Sequence, residues 1–171
     1  MITSQYVRGF SAYNAEMNRR VYDAAARLSD GDRKLDRGAF FGSIHRTLNH
    51  LIWADTMWMS RFDGWEPPPR RDGRTDNLFD DFTPMRARRI EMDGAIQAWA
   101  AGLADEWLTG DLTWYSGIAQ REMTARLAVT VAHMFNHQTH HRGQVHAMLT
   151  AAGEDTGATD LQAVLPPSAF D

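Results

Sequence analysis

The sequence predicts an all-α fold: a four-helix bundle with long crossover connections and a short hairpin or irregular crossover before the last helix. Four long segments carry apolar side chains at spacings of three, four or seven residues, which is typical of helices with one buried face. Glycine, proline or acidic residues separate these segments. The length of 171 residues suits one domain with its own core, so we expect residues 1–171 to form a single domain.

The first two long helices follow from their apolar faces and end signals. The first predicted helix covers about 4–28, with residues 29–32 (SDGD) ending it, and its buried face comprises Tyr6, Phe10, Tyr13, Met17, Val21 and Leu28. The second covers about 42–62 with Ser43 as a candidate cap, and its buried face comprises Ile44, Leu48, Leu51, Ile52, Met59 and Phe62. The proline- and glycine-rich composition of residues 64–74 excludes regular structure there.

The other two long helices lie in the second half of the chain. Thr83 and Pro84 resemble a cap and a first helical residue, so the third helix is predicted from there to about Leu108, burying Met92, Ile96, Trp99, Leu103 and Trp107. Residues 112–118 combine strand-forming side chains with a Ser-Gly turn signal, hence the expected hairpin or crossover. The fourth helix is predicted over about 124–152, burying Leu127, Val131, Met134, Val145 and Leu149. The remaining tail is expected to pack as a short turn.

Composition excludes several classes of function. The formal net charge is −4, from 18 Lys plus Arg against 22 Asp plus Glu, and no basic stripe is present, so nucleic acid is not an expected partner. No apolar run is long enough to span a membrane, and the first residues do not resemble a signal peptide, so we expect no membrane partner and a cytoplasmic location. The absence of cysteine excludes disulfides, thiolate ligands and a cysteine nucleophile.

Histidine is concentrated in the fourth predicted helix, where five of the seven histidines lie between His133 and His146. On a helical wheel, His137 and His141 lie at the edge of the buried face, one turn apart, with Cβ atoms about 5–6 Å from each other. Two such imidazoles can bind one ion at about 2.0–2.1 Å from each nitrogen. A solvated histidine-rich face, or histidines bonded to carbonyl groups, would give the same spacing.

The second predicted helix offers a third ligand. On its wheel, His50 borders the apolar face, as His137 and His141 do on theirs, whereas His45 falls outside that face. An ordinary hydrogen bond between helices would explain His50 equally well. The spacing alone therefore leaves a metal site and a structural role both open.

Two motifs resemble a known family. Residues 47–58 (TLNHLIWADTMW) and 133–149 (HMFNHQTHHRGQVHAML) resemble the DinB/YfiT-like family of metalloenzymes, over most of the chain. In that family, one histidine of the second helix and two of the last bind a divalent metal, usually zinc or nickel. By motif position these ligands are His50, His137 and His141, the three that the wheels place beside the buried faces. The resemblance also implies homodimers and, in some members, reactions that depend on low-molecular-weight thiols.

Other side chains near these motifs carry weaker expectations. His133 is placed at the mouth of a pocket, with a structural role favoured over ligation. Gln144 is positioned to bond a ligand histidine or a bound water. Asp55 falls within the apolar face of its helix, where an acid needs a partner, so a structural salt bridge, with Arg142 as a candidate, is favoured over a catalytic carboxylate. Trp53 and Trp58 are interpreted as packing residues, and the connector over residues 65–81 as a segment that shapes a substrate pocket.

These observations favour a metal-dependent enzyme that activates water or a small-molecule thiol for attack on a small-molecule substrate, as a transferase or a hydrolase. Three histidines leave a position on the ion for that reactant. Any thiol must come from a cofactor because the chain has no cysteine. The alternatives are a noncatalytic, dimeric metal- or ligand-binding protein of the stress response, and a bundle whose histidines bind nickel only during purification. No catalytic acid or base is assigned.

Overall fold

A computed structural model describes residues 1–117 and 119–170. The chain is mostly helical, as predicted, but the all-α class is wrong because a small two-stranded sheet is also present. The elements, in chain order, are α1 (Ser4–Arg27), α2 (Asp30–Lys34), α3 (Ile44–Phe62), α4 (Phe82–Ala101), a 3₁₀ turn (Trp107–Thr109), β1 (Asp111–Ser116), β2 (Arg121–Arg126), α5 (Leu127–Ala151), α6 (Leu161–Val164) and a second 3₁₀ turn (Pro167–Phe170). None of the described helices is long and apolar enough to cross a membrane.

Side chains that cap helices fix where α1 and α3 begin. The Thr3 hydroxyl accepts the N–H of Tyr6, and the Ser43 hydroxyl accepts the N–H of Arg46, each at 3.2 Å. The predicted extents of these two helices and the buried face of α3 are confirmed. Residues 29–32 do not simply end α1 as predicted, because Ser29 caps the short helix α2. Serine followed by acidic residues favours a helix start as well as an interruption.

The third long helix, α4, differs from its prediction at both ends. It begins at Phe82, before the predicted cap Thr83, and stops at Ala101 rather than near Leu108, which lies in the first 3₁₀ turn. Pro84 occupies its third position, where a missing N–H is tolerated because the first four N–H groups of a helix have no partner within it. Met92 and Ile96 are buried as predicted, whereas three other predicted core residues are only half-buried: Trp99, Leu103 and Trp107.

The predicted hairpin is present, and it is longer than expected. β1 and β2 pair antiparallel from Asp111 opposite Arg126 to Ser116 opposite Arg121. Ile118, which belonged to the predicted hairpin segment, lies outside the described residues. The last long helix therefore begins at Leu127 instead of about Thr124. Thr124 belongs to β2 because it lies opposite Thr113, with the two hydroxyl oxygens 2.8 Å apart.

The four long helices pack through their apolar faces. α1 contacts α4 and α5, while α3 contacts α4 and α5, and the tail after α5 packs against α1 through α6 and the second 3₁₀ turn. The predicted core residues of α5 are all buried: Leu127, Val131, Met134, Val145 and Leu149. Burial of these side chains holds α5 directly against α3. This contact brings the histidines of the two helices together.

Candidate metal centre

Three histidines meet where α3 contacts α5. One ring nitrogen from each of His50, His137 and His141 lies within 4.8 Å of the other two. His50 comes from α3, and the other two come from consecutive turns of α5. The Nε2 atoms of His50 and His137 are 3.2 Å apart. The structure thus brings together the three residues that the sequence placed beside the buried faces.

The arrangement of these nitrogens fits a divalent transition-metal ion. Two imidazole nitrogens bound at about 2.0–2.1 Å in tetrahedral geometry lie about 3.3 Å from each other. The Nε2 atoms of His50 and His137 have nearly this separation. Imidazole ligands suit zinc and nickel, and three protein ligands leave a position for water or another reactant. This group of residues could therefore hold a metal ion with an open site.

Hydrogen bonds to Nδ1 of His141 and of His50 orient the Nε2 atoms of these two rings towards the histidine cluster. Nδ1 of His141 is 3.0 Å from Oε1 of Gln144, the kind of contact expected for this glutamine. Because an amide oxygen only accepts, His141 carries its proton on Nδ1 and keeps a lone pair on Nε2. Nδ1 of His50 is 3.0 Å from the Thr75 hydroxyl. Such support fixes the orientation of metal-binding imidazoles.

An aromatic side chain that was not singled out in the sequence, Phe41, covers one side of the centre. Its ring stacks on His50, with centroids 4.0 Å apart and planes at 29°, and its centroid is 5.3 Å from that of His141. Gly42, at φ +78°, makes the turn that joins Phe41 to α3. Phe41 therefore shields the imidazoles from solvent.

Burial keeps the three histidines neutral. Burial, together with the neighbouring His141, lowers the pKa of His50 to about 4 and that of His137 to about 3. Desolvation also lowers the pKa of His141. A neutral imidazole is the form that binds a metal ion. Nδ1 of His137 is buried without a hydrogen-bond partner in the described part of the chain.

Comparison with protein-family models matches the DinB family over residues 1–167. The chain belongs to the DinB family. A solved structure with a similar fold is a DinB-like protein from Bacillus cereus, with 16% sequence identity and a TM-score of 0.64 over 85% of this chain and 90% of that chain. At this identity the similarity shows the fold alone. No match was found among curated proteins.

Other histidines of this DinB chain have different surroundings. His45 was predicted to lie outside the apolar face of its helix, but it is only 5% exposed. The connector between α3 and α4 covers it, and its Nε2 is 2.9 Å from the carbonyl oxygen of Phe79. His133 lines the cavity beside the centre, as predicted, with its ring 5.2 Å from that of Trp58. His146 bonds the hydroxyl of Thr156.

Asp55 has the buried ion pair expected for it, with a different partner. Its Oδ2 is 2.6 Å from Nη1 of Arg89 on α4, and Arg89 also contacts Asp93 at 2.9 Å. The predicted partner, Arg142, instead lies over the ring of Tyr13. Burial raises the pKa of the Asp55 carboxyl, and Arg89 opposes that effect. This residue therefore links α3 to α4.

A cavity of about 590 Å³ opens beside the histidines. Its lining includes two of the three, His50 and His137, together with tryptophan side chains from α3 and β1. Trp53 and Trp58, interpreted from the sequence as packing residues, also line this cavity. Arg70 and Thr75 come from the connector before α4, so this segment contributes to the cavity wall. The rings of His50 and His137 are thus accessible to a small molecule.

Proposed function

We propose that this DinB protein is a divalent-metal-dependent enzyme in which His50, His137 and His141 hold zinc or nickel. The observation that carries the proposal is the convergence of three neutral imidazoles from two helices beside a cavity. Thr75 and Gln144 orient two of these rings through hydrogen bonds. This support distinguishes the cluster from a solvated histidine-rich face.

The chemistry that such an ion supplies when bound is acidification of water or stabilisation of a thiolate. Since the chain contains no cysteine, a thiol would have to belong to a low-molecular-weight cofactor. The reaction is then a thiol-dependent transfer or a hydrolysis. Either requires a small electrophilic substrate, and the cavity has the volume of a small-molecule site.

The chain's own residues prepare the site for that reaction. Gln144 keeps a lone pair on Nε2 of His141, and Thr75 limits rotation of the His50 ring. Phe41 stacks on His50 and excludes water from that side. Access remains from the side of the cavity, where His133 lies at the wall. A reactant would therefore approach the imidazoles from this side.

Metal content tests the ligand set. Protein purified without an affinity tag should contain close to one zinc or nickel per chain by elemental analysis, and His137→Ala should lose it. His133→Ala is the matched control, because His133 lies one turn earlier on α5 and should leave metal content unchanged. Retention of metal by His137→Ala would show that the proposed ligands are wrong. Tag-free protein that binds no added zinc would restrict the histidines to a structural role.

Turnover tests the enzyme proposal. Metal-loaded protein should transfer a small-molecule thiol to an electrophile or hydrolyse an ester, amide or lactam, and His137→Ala should not. Failure across a broad panel would favour the alternative, a noncatalytic dimeric metal- or ligand-binding protein of the stress response. The exposed large apolar side chains of the described residues lie on separate segments and form no extended face on α1 or α4: Met1, Leu35, Phe40, Ile90, Tyr115 and Val129. We prefer the enzyme because the three imidazoles converge beside a cavity of small-molecule size.

We also propose that α1, α3, α4 and α5 form a four-helix bundle, which their mutual packing supports. The homodimer and the cytoplasmic location stay predictions. Light scattering at several protein concentrations measures the first. A mass of one chain at every concentration would contradict the dimer.

A further inference from the structure

Two cations of the cavity lining, Arg61 and Arg70, have no anionic partner. Within residues 1–117 and 119–170, the lining contains neither Asp nor Glu, and neither guanidinium forms a hydrogen bond or an ion pair. Several other arginines pair with carboxylates, for example Arg19 and Arg27. The cavity therefore concentrates positive charge that the protein itself does not balance.

Indole rings hold both guanidinium groups in place. Cζ of Arg61 lies 4.6 Å from the ring centroid of Trp58 and 5.5 Å from that of Trp114. Cζ of Arg70 lies 5.2 Å from the ring of Trp53. Stacking uses the flat face of a guanidinium and leaves the N–H donors at its edge available. Burial lowers the pKa of Arg61, as expected for a cation that lacks a carboxylate.

Much of the remaining lining is apolar or aromatic, and its other polar groups are three imidazoles and the hydroxyls of Thr75 and Ser116. Phe40 and Phe41 contribute aromatic rings, and Met57 contributes a flexible thioether. Pockets of this volume enclose small organic molecules, whose polar groups are recognised by a few fixed donors. The surroundings thus favour a ligand with an apolar body and one charged end.

We infer that the cavity binds a small organic anion whose carboxylate or phosphate contacts Arg61 and Arg70 and whose apolar body lies against the tryptophans. Guanidinium donors match either group in a two-pronged geometry. The opposite end of the molecule would then lie beside His50 and His137. This last placement rests on the proposed function, whereas recognition of the anion does not require a metal ion.

Calorimetric titration of the metal-free protein tests the recognition. The probes are 4-phenylbutyrate, phenethyl phosphate and the uncharged 4-phenylbutyramide, which share an aromatic body. At least one anion should bind about tenfold or more tightly than the amide, because charged hydrogen bonds would be lost with the amide. Equal affinity of all three probes would overturn the inference. The tighter of the two anions identifies the preferred charged group.

Arginine variants locate the contact. Arg61→Met and Arg70→Met should each weaken anion binding about tenfold and leave binding of the amide unchanged. Arg88→Met is the matched control, because Arg88 lies over the indole of Trp65 at 5.9 Å but outside this cavity. Arg70 lies in an exposed connector, so its variant stays informative even if Arg61→Met fails to fold. Unchanged anion binding by Arg70→Met would overturn the assignment.

The same titrations separate this inference from the proposed function. Arginine-dependent anion binding by a protein that takes up no zinc would refute the metal centre and leave the anion site standing. Zinc uptake without arginine-dependent anion binding would refute the anion site and leave the metal centre standing.

Discussion

Replacement of Gln144 tests the metal centre without removing a ligand. Its Oε1 accepts from Nδ1 of His141 at 3.0 Å, so Gln144→Ala removes the group that fixes the tautomer and the ring orientation. Loss of one neutral hydrogen bond at about 1 kcal/mol corresponds to a factor of about five. Two ring orientations about the last side-chain torsion add a factor of about two. Zinc affinity should therefore fall about tenfold, at the lower end of effects known for such supporting residues.

A competition titration against a zinc-binding dye at neutral pH measures this change. Gln97→Ala is the control, because Gln97 is exposed on α4, and its zinc affinity should equal that of the unaltered protein. Circular dichroism of each metal-free variant should show unchanged helix content. A Gln144→Ala affinity within about twofold of the unaltered protein would refute the reasoning about orientation.

Three further predictions concern stability. Asp55→Ala leaves Arg89 buried with one partner fewer and should lower the free energy of unfolding by about 3–5 kcal/mol. Asp30→Ala, which removes the ion pairs of an exposed carboxylate with Lys34 and Arg33, should cost under about 1 kcal/mol, and urea titration compares the two variants. In metal-free protein, the pKa of His50 falls from 6.5 to about 4 on folding. The unfolded state then binds more protons, so urea midpoints should decrease as pH falls between these values. Gly42→Ala should cost about 1 kcal/mol in thermal unfolding, because φ there is +78°.

Each of these has a contrary outcome. If Asp55→Ala and Asp30→Ala lower the free energy of unfolding equally, the buried ion pair stabilises the fold no more than a surface pair does. Stability that stays constant as pH falls would mean that His50 is not desolvated in the folded state. An unchanged melting temperature for Gly42→Ala would place that residue in an ordinary backbone conformation.

Periodic features of the sequence were predictable, because a helix repeats its environment every three or four residues. The buried face of α3 and the predicted core of α5 are confirmed, and the same argument placed His50, His137 and His141 beside buried faces. The ends of α4 were not predictable in this way. Apolar residues continue at helical spacing beyond Ala101, although the chain changes there to a loop and a 3₁₀ turn.

Contacts made by loop residues could not be predicted from helical periodicity either. Phe41 and Thr75 touch His50 from two separate loops, where no periodicity indicates which side chain faces which. His45 is buried by the connector that crosses it, so a wheel drawn for α3 alone placed it wrongly. The sequence contains many arginines, and their positions in the chain do not specify which of them pairs with Asp55 in the folded protein.

The connector between α3 and α4 contributes residues to two different parts of the site, so sequence changes in it affect both. Within six residues it supplies Thr75, which bonds an imidazole, and Arg70, which stands at the cavity wall. Insertions, deletions or cleavage in this stretch would alter the proposed metal site and the proposed anion site at the same time. Substitutions in the hairpin strand that carries Trp114 could change ligand specificity and leave the three histidines in place. Trp114 reaches the cavity without bonding any of the three imidazole rings.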